Sequence, residues 1–497
     1  MSKYTEEEIV QSVPQKGFFG HPRGLMTLFF TEFWERFSYY GMRAILLYYM
    51  YTSVKDGGLG IDNGTAKSVL AIYGSLVYMS GIIGGWLADR ILGKQKSIFY
   101  GGILIMFGHI VLALPMGATA LFVSMALIII GTGLLKPNAS SVVGDMYSPQ
   151  DMRRDSGFSL FYMGINLGAF ISPLIVGALS TSYNYHVGFG TAAVGMFIGL
   201  IVYWVTAKKN LALAGLEPQN PLSATEKKAY TKYFTIGAIV LLVLGFISIK
   251  FGWLTINSFI MLVSLLGIVI PTIYFIVMYR SPKTDKVEQS RLLAYIPLFI
   301  TAVVFWAIYE QSSTTLAEYA DKRTNLDIFG FTINPAWFQS LPALFVITLA
   351  PLFALLWMKL GSRQPSTPKK FAFGLMFAGF SFLIMLVPAL TSGPNELVSP
   401  IWLTLCFLFA VIGELMLSPV GLSATTKLAP KAFSAQTMSL WFLSNAAAQA
   451  LNAQIVRFYN PGNEAMYFGI LGGIAVLLSL VLLMFSKVVE RLMQGVQ

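Results

Sequence analysis

Apolar blocks, each about long enough to cross a bilayer, follow one another along almost the whole chain, with short polar turns between them. About 20 apolar residues span the roughly 30 Å hydrocarbon core as a helix. The blocks have a helical pattern rather than strict alternation, which argues against an outer-membrane barrel. The pattern predicts about fourteen helices, beginning near Leu25, Lys67, Ser97, Thr119, Gly157, Gly188, Phe234, Leu254, Leu292, Pro335, Phe371, Ile401, Phe433 and Ala465. The chain is thus expected to be an all-α integral membrane protein.

The longest polar interruption, 208–232, reads KKNLALAGLEPQNPLSATEKKAYTK and divides the chain roughly in half. The expected plan is a six-helix bundle over 1–207, a linker over 208–232, an accessory transmembrane hairpin over 233–280, and a second six-helix bundle over 281–497. The hairpin holds no acidic residue, so it reads as packing rather than as a site. WLADRILGKQK (86–96) and WMKLGSRQPSTPKK (357–370) occupy matching places in the two halves, as do GTGLLKPNAS (131–140) and IGELMLSPVGLS (412–423). Two related halves with a site between them near mid-membrane is a common transporter plan; chance similarity between apolar helices is the alternative.

Charge changes the picture in two ways. Of 497 residues 56% are hydrophobic and only 11% charged, yet the net charge is +11. Most of the 34 lysines and arginines fall in alternate loops and at the termini, which is the positive-inside pattern rather than a nucleic-acid patch. It places both termini in the cytoplasm. The single cysteine, Cys406, lies in an apolar block and excludes an internal disulfide or thiolate cluster. The N-terminal MSKYTEEEIVQ has no basic region leading into an apolar core, so the first helix is the expected insertion signal.

The second change is TEFWERFSYYGMR (31–43), a membrane segment carrying Glu32, Glu35, Arg36 and Arg43. A central Asp, Lys or Arg costs about 2.5 to 3.5 kcal/mol to insert, whereas a large aliphatic returns about 0.3 to 0.6. Such charges must pair, face a wet cavity or lie near an interface. At a helical period Glu32, Glu35, Arg36, Tyr39, Tyr40 and Arg43 share one face of roughly 140°. A paired ladder that only locks the helix to its neighbours would also produce this face, since Glu32 and Arg36 are spaced i,i+4. Further intramembrane charges favour a site: Lys136 in the first half, Glu310 and Glu414 in the second. The two halves would then present a cationic and an acidic wall, suited to a small dipolar ligand. Asn166 and Gln311 add amides, and Tyr78, Trp306 and Trp441 join the tyrosines as candidate walls. A ligand carboxylate that draws an arginine away from Glu310 would leave that side chain readier to hold a proton, linking solute to proton.

Enzymatic readings find little support. The three histidines, His21, His109 and His186, are scattered, with no metal-ligand spacing or nucleophile–base arrangement, and GxxxxGK[ST] is absent. No enzyme activity, metal or cofactor is expected, with protons as the coupling ion.

Taken together the motifs resemble the proton-dependent oligopeptide transporters of the major facilitator superfamily. ExxERFxYYG matches Glu32 to Gly41, FYxxINxG matches Phe161 to Gly168, and GTGLLKPN, FWAIYEQ, VIGELMLSPVGL and GGWLADRILGKQK are similar to family segments. The resemblance implies a bacterial cytoplasmic membrane protein of the major facilitator fold that imports di- and tripeptides with protons, functioning as a monomer among membrane lipids. It implies that Arg43, Lys136 and Asn166 meet the peptide's C-terminal end and backbone, Glu414 its amino group, and Glu310 the coupling proton. Glu32, Glu35 and Arg36 would form a charge network with Lys136, and Tyr39, Tyr40, Tyr78, Trp306 and Trp441 would shape side-chain pockets. Asp89 and Arg90 would help close a cytoplasmic gate, although a solvated topogenic charge run explains them almost as well. Many relatives place an Asn near Pro342, which is therefore left outside the site. Nitrate uptake or drug efflux by the same fold is the alternative. The first would not need the carboxylates, and the second would not need Arg43 and Lys136.

Overall fold

The computed structural model describes residues 4–148 and 150–496. Among them fourteen long helices follow one another: α1 Arg23–Tyr51, α2 Asn63–Leu87, α3 Lys94–Ala113, α4 Gly117–Asp145, α5 Arg154–Ser182, α6 Tyr185–Asn210, α7 Ala224–Lys250, α8 Ile256–Arg280, α9 Lys286–Tyr309, α10 Leu341–Leu360, α11 Thr367–Leu383, α12 Ile401–Leu428, α13 Ser434–Ile455 and α14 Glu464–Leu492. Short helices and one small hairpin of two-residue strands, Asp327–Ile328 with Phe331–Thr332, occupy the connections. Twelve of the described helices are long and apolar enough to cross a membrane. The two long helices outside that set are α1, with its charges, and α13, whose SNAAAQALNAQ stretch is rich in amides. Glu32, Arg36 and Arg43 of the first and Asn445 of the second line the cavity between the halves.

Each expected helix is present, and the largest boundary error lies at the linker. Helix α7 begins at Ala224, so the linker is shorter than 208–232 and the accessory hairpin starts before residue 233. The cause is local. Ser223 accepts from the Glu226 N–H and the Glu226 carboxylate accepts from the Ser223 N–H, a reciprocal cap that starts the helix within polar sequence. The hairpin is peripheral, as expected: α7 is largely exposed, and α8 packs on α13 and α2.

The two halves repeat one packing plan. In the first, α1 packs on α5, α2 on α4, and α3 on both α4 and α6; in the second, α9 packs on α13, α10 on α12, and α11 on both α12 and α14. The same glycine device recurs at matching crossings. A Cβ on Gly101 or on Gly131 would lie 2.6 Å from the other's carbonyl oxygen, and a Cβ on Gly413 would lie 2.5 Å from the Gly374 oxygen. Without a cohesive force between apolar helices in lipid, close backbone approach at small residues is what holds such crossings.

Among the described residues, most hydrogen bonds between the halves lie toward one end. There Ser68 donates to the Ala453 carbonyl at 2.6 Å, Ser75 to Ala446 at 2.8 Å, Trp337 Nε1 to Leu174 at 3.1 Å and Ser340 to Phe170 at 2.7 Å. Lys67, 1% exposed, meets Glu318 at 2.6 Å across the same seam. Toward the other end, which carries the basic loops, α2 and α13 part: a Cβ on Gly81 or Gly85 would meet nothing within 4 Å. The molecule is therefore closed at the Lys67–Glu318 end and open at the basic end.

Neighbouring glycines of α2 give a test of this packing. A Cβ on Gly84 would sit 1.9 Å from the Gly133 carbonyl oxygen. Gly84→Ala is expected to lose about 1 to 3 kcal/mol through overpacking. It should lower the thermal unfolding midpoint in detergent, whereas Gly85→Ala should leave that midpoint unchanged.

Candidate functional site

A cavity of about 300 Å³ lies between the halves, just on the open side of the closed seam. Its lining includes Glu32, Arg36, Tyr40 and Arg43 from α1, Tyr78 from α2, Lys136 from α4, and Tyr162 and Asn166 from α5. The second half contributes Trp306, Tyr309, Glu310, Gln339, Pro342, Glu414, Ser418, Trp441, Phe442 and Asn445. One polar face of α1 supplies the first wall, as its helical spacing requires.

At its centre Arg43 Nη2 donates to Glu310 Oε2 at 2.6 Å, joining the two halves. Both side chains are buried, Arg43 9% and Glu310 5% exposed. Helix α9 ends at Tyr309 and gives way to a tight 3-10 turn over Glu310–Ser313, which sets the Glu310 carboxylate at the break. Three more donors address that carboxylate: Gln449 Nε2 at 2.7 Å, Asn445 Nδ2 at 3.3 Å and the Tyr78 hydroxyl at 3.4 Å. A carboxylate offers about four lone-pair positions, so this one is fully engaged.

Arg36 is the second fixed charge. Its Nη2 donates to Glu35 Oε1 at 2.7 Å and its Nε also meets Glu35 Oε2, while Glu32 lies 3.5 Å away. The main partner is thus the adjacent residue rather than the i,i+4 glutamate, and one Glu32 oxygen is buried without a hydrogen bond. The expected network with Lys136 is looser than its sequence reading: Lys136 Nζ lies 4.9 Å from the centre of the Tyr78 ring, and no ion pair within 4 Å joins it to a described carboxylate. Lys136 sits in the cavity wall over the Tyr78 ring. Across the cavity Glu414, 9% exposed, has Oε2 buried with no partner, beside the Tyr309 hydroxyl. The site therefore holds one closed ion pair between its walls, one loosely held ammonium, and one loosely held carboxylate.

Several sequence expectations need correction. Tyr39 does not line the cavity: it is 4% exposed, stacked on Tyr73 at 6.3 Å and set behind Arg36 at 5.0 Å. Tyr40 and Tyr78 do line it, as do Asn166, Trp306 and Trp441. Gln311 turns into the second bundle, accepting from Tyr467 at 2.6 Å. Pro342, set aside because it lacks the amide of its relatives, is part of the wall. Asp89 and Arg90, expected at a cytoplasmic gate, lie at the open, basic end, where such a gate would be parted. Arg90 pairs with Glu226 at 2.7 Å, and the Asp89 carbonyl accepts from the linker at Asn220, so this turn is tied to the linker.

Sequence reasoning missed Asn445, Gln449, Tyr162 and Tyr309, and the Lys67–Glu318 pair. The amides of α13 left a signal, three Asn or Gln at i, i+4 and i+7 (445, 449, 452) in an otherwise apolar helix. Lys67 stands at a predicted helix start, where nothing in the sequence signals a partner, and only the fold brings Glu318 beside it.

Comparison with known proteins agrees with this geometry. Residues 95–471 match the family model described as PTR2, POT family. The chain is 62% identical over its full length to the uncharacterized transporter YclF of Bacillus subtilis (strain 168), covering all of that protein. It is 49% identical to the di-/tripeptide transporter of Lactococcus lactis subsp. cremoris, over 97% of this chain and 99% of that one. A crystal structure of a peptide transporter POT, an E310Q mutant in complex with alafosfalin, superposes with a TM-score of 0.96 at 63% identity, over 99% of this chain and 100% of that one. The major facilitator fold, the motifs on α1 and α5 and the match over most of the chain place this protein in the POT family of membrane transporters.

Proposed function

We propose that this protein is a proton-coupled symporter that imports di- and tripeptides by alternating access. The observation that carries the reading is the Arg43–Glu310 pair, which crosses the cavity and joins the two halves at 2.6 Å while Lys136 and Glu414 face the cavity as separated charges of opposite sign. A short peptide is a dipole with a carboxylate and an ammonium held a few ångströms apart. Arg43, Arg36 and Lys136 suit the first, Glu414 suits the second, and Asn166 can bond either side of the peptide amide. Tyr40, Tyr78, Trp306 and Trp441 offer broad apolar contact with little demand on side-chain identity. An anion carrier would have no use for Glu414 in the wall, and a cationic-drug exporter none for Lys136.

Coupling follows from competition for Arg43. Arg43 meets Glu310 through its Nη2, and a peptide carboxylate that draws the guanidinium toward itself weakens that contact. A proton on Glu310 dissolves the pair and releases Arg43 to the peptide, and it removes a charge-assisted bond joining the two halves. Peptide and proton therefore favour the same state, and by linkage each raises the affinity for the other. Opening at the closed end further requires Lys67 and Glu318 to separate. The positive-inside rule assigns the open, basic end to the cytoplasm, so the chain sits inward-facing in a bacterial cytoplasmic membrane with both termini inside.

Three measurements test the reading. Proteoliposomes containing the purified chain should accumulate labelled dialanine under an inward proton gradient and lose that accumulation with a protonophore; gradient-independent equilibration alone would overturn proton coupling. Glu310→Gln should abolish gradient-driven accumulation and retain peptide counterflow, and equal loss of both would make Glu310 a purely structural or binding residue. Glu414→Gln removes a charge-assisted bond to the ammonium, of about 1.5 to 3 kcal/mol. It should raise the KM for dialanine by about 10- to 100-fold, and an unchanged KM would move the amino-group site elsewhere.

A further inference from the structure

The hydrogen bonds around Glu310 contain one mismatch. Asn445 donates from Nδ2 to Glu310 Oε1 at 3.3 Å, long for a bond to a carboxylate, and its Oδ1 is buried with no partner. Asn445 is itself 5% exposed. An amide beside a carboxylate must turn its NH₂ toward it, and here that leaves the acceptor end without a donor. An unsatisfied buried acceptor is costly and calls for an explanation.

The explanation lies in the second protonation state. When Glu310 gains a proton it becomes a donor as well as an acceptor, and it then needs an acceptor within reach. Of the four groups that now address it, Arg43 has no acceptor and can only leave. Tyr78 reaches it at 3.4 Å from the first half and moves with that half. Gln449 donates at 2.7 Å, a good bond that belongs to the charged form. Asn445, on the same helix one turn away and on the same half as Glu310, needs only to rotate its amide. Its free Oδ1 would then receive the Glu310 O–H.

We propose that Asn445 is the positioning residue that accepts the hydrogen bond of protonated Glu310. This holds the neutral acid on the second half while Arg43 passes to the substrate. The inference rests on the proton-coupled reading above. The proton comes from external water when the cavity opens outward, resides on a Glu310 oxygen and leaves to cytoplasmic water when the cavity opens inward, so no other reactant is needed. The remaining charged or titratable groups around Glu310 are Arg43, Tyr39 and Tyr40 on α1, Tyr78 on α2, Lys136 on α4 and Glu414 on α12. Helix α13 presents only the amides, so a change at Asn445 alters hydrogen bonding without altering the charge of the site.

The test is the external pH at which gradient-driven dialanine uptake into proteoliposomes is half-maximal, each variant normalised to its own maximum. Asn445→Leu removes the acceptor of the neutral acid and also the donor to the charged form; that donor bond is long, 3.3 Å, so the loss of the acceptor outweighs it and the midpoint should fall, by at most about one pH unit. Gln449→Leu removes a donor from the charged form, so its midpoint should rise. An Asn445→Leu midpoint equal to or above the wild-type value, or movement of both variants in the same direction, overturns the assignment. So does a change in KM that is the same at every pH, which would make Asn445 a peptide contact. Asn445→Ala, a smaller residue that cannot overpack, should move the midpoint in the same direction as Asn445→Leu and is read by the same criteria. If the wild-type chain shows no gradient-driven uptake, the proton-coupled reading fails instead.

Discussion

The molecule turns on one constraint: a charge buried between two helical bundles must find an opposite charge, and Arg43 finds Glu310 on the other bundle. Taking either ion out of water costs several kcal/mol, and the attraction between them offsets that cost only when the geometry is close and the remaining lone pairs are satisfied. Both conditions hold here, with a 2.6 Å contact and a ring of amide and hydroxyl donors on the carboxylate. The result is a bond strong in one electrostatic state and absent in the other. Uniform apolar packing at the same place would have no such dependence on charge.

The surrounding architecture keeps that bond decisive. Within each half, glycine crossings such as Gly101–Gly131 and Gly374–Gly413 bring backbones together, so each bundle is close-packed. Between the halves the closed end depends instead on polar contacts, among them Lys67–Glu318 and Ser75 to the Ala446 carbonyl. Toward the basic end the halves separate and leave α2 glycines facing open space. Rigid bundles joined by a few switchable polar bonds can rock about the site with little internal rearrangement, which is what alternating access demands.

Much of this was legible in the sequence, and for physical reasons. Apolar block length sets helix number, and all fourteen expected helices are present. The cost of charge in lipid singled out Glu32, Glu35, Arg36, Arg43, Lys136, Glu310 and Glu414; all but Glu35, which is buried against Arg36, line the cavity. What failed was information held only in three dimensions. Helical periodicity put Tyr39 on the polar face but could not show Tyr73 covering it. Spacing favoured Glu32 as the partner of Arg36, whereas the folded side chain prefers Glu35. Neutral amides carry a small insertion cost and so gave a faint signal, yet Asn445 and Gln449 complete the shell around Glu310. The reciprocal cap of Ser223 and Glu226 starts α7 in a stretch whose polarity, rather than its capping residues, dominates the sequence pattern.

The central claim is that peptide binding and protonation of Glu310 are one event, linked through Arg43. Infrared difference spectroscopy of the purified protein, recorded on adding dialanine at constant pH, observes that event directly. A protonated-carboxyl band should appear with the peptide and be missing from the Glu310→Gln variant. Peptide binding without that band, or with the same band in the variant, would contradict the account.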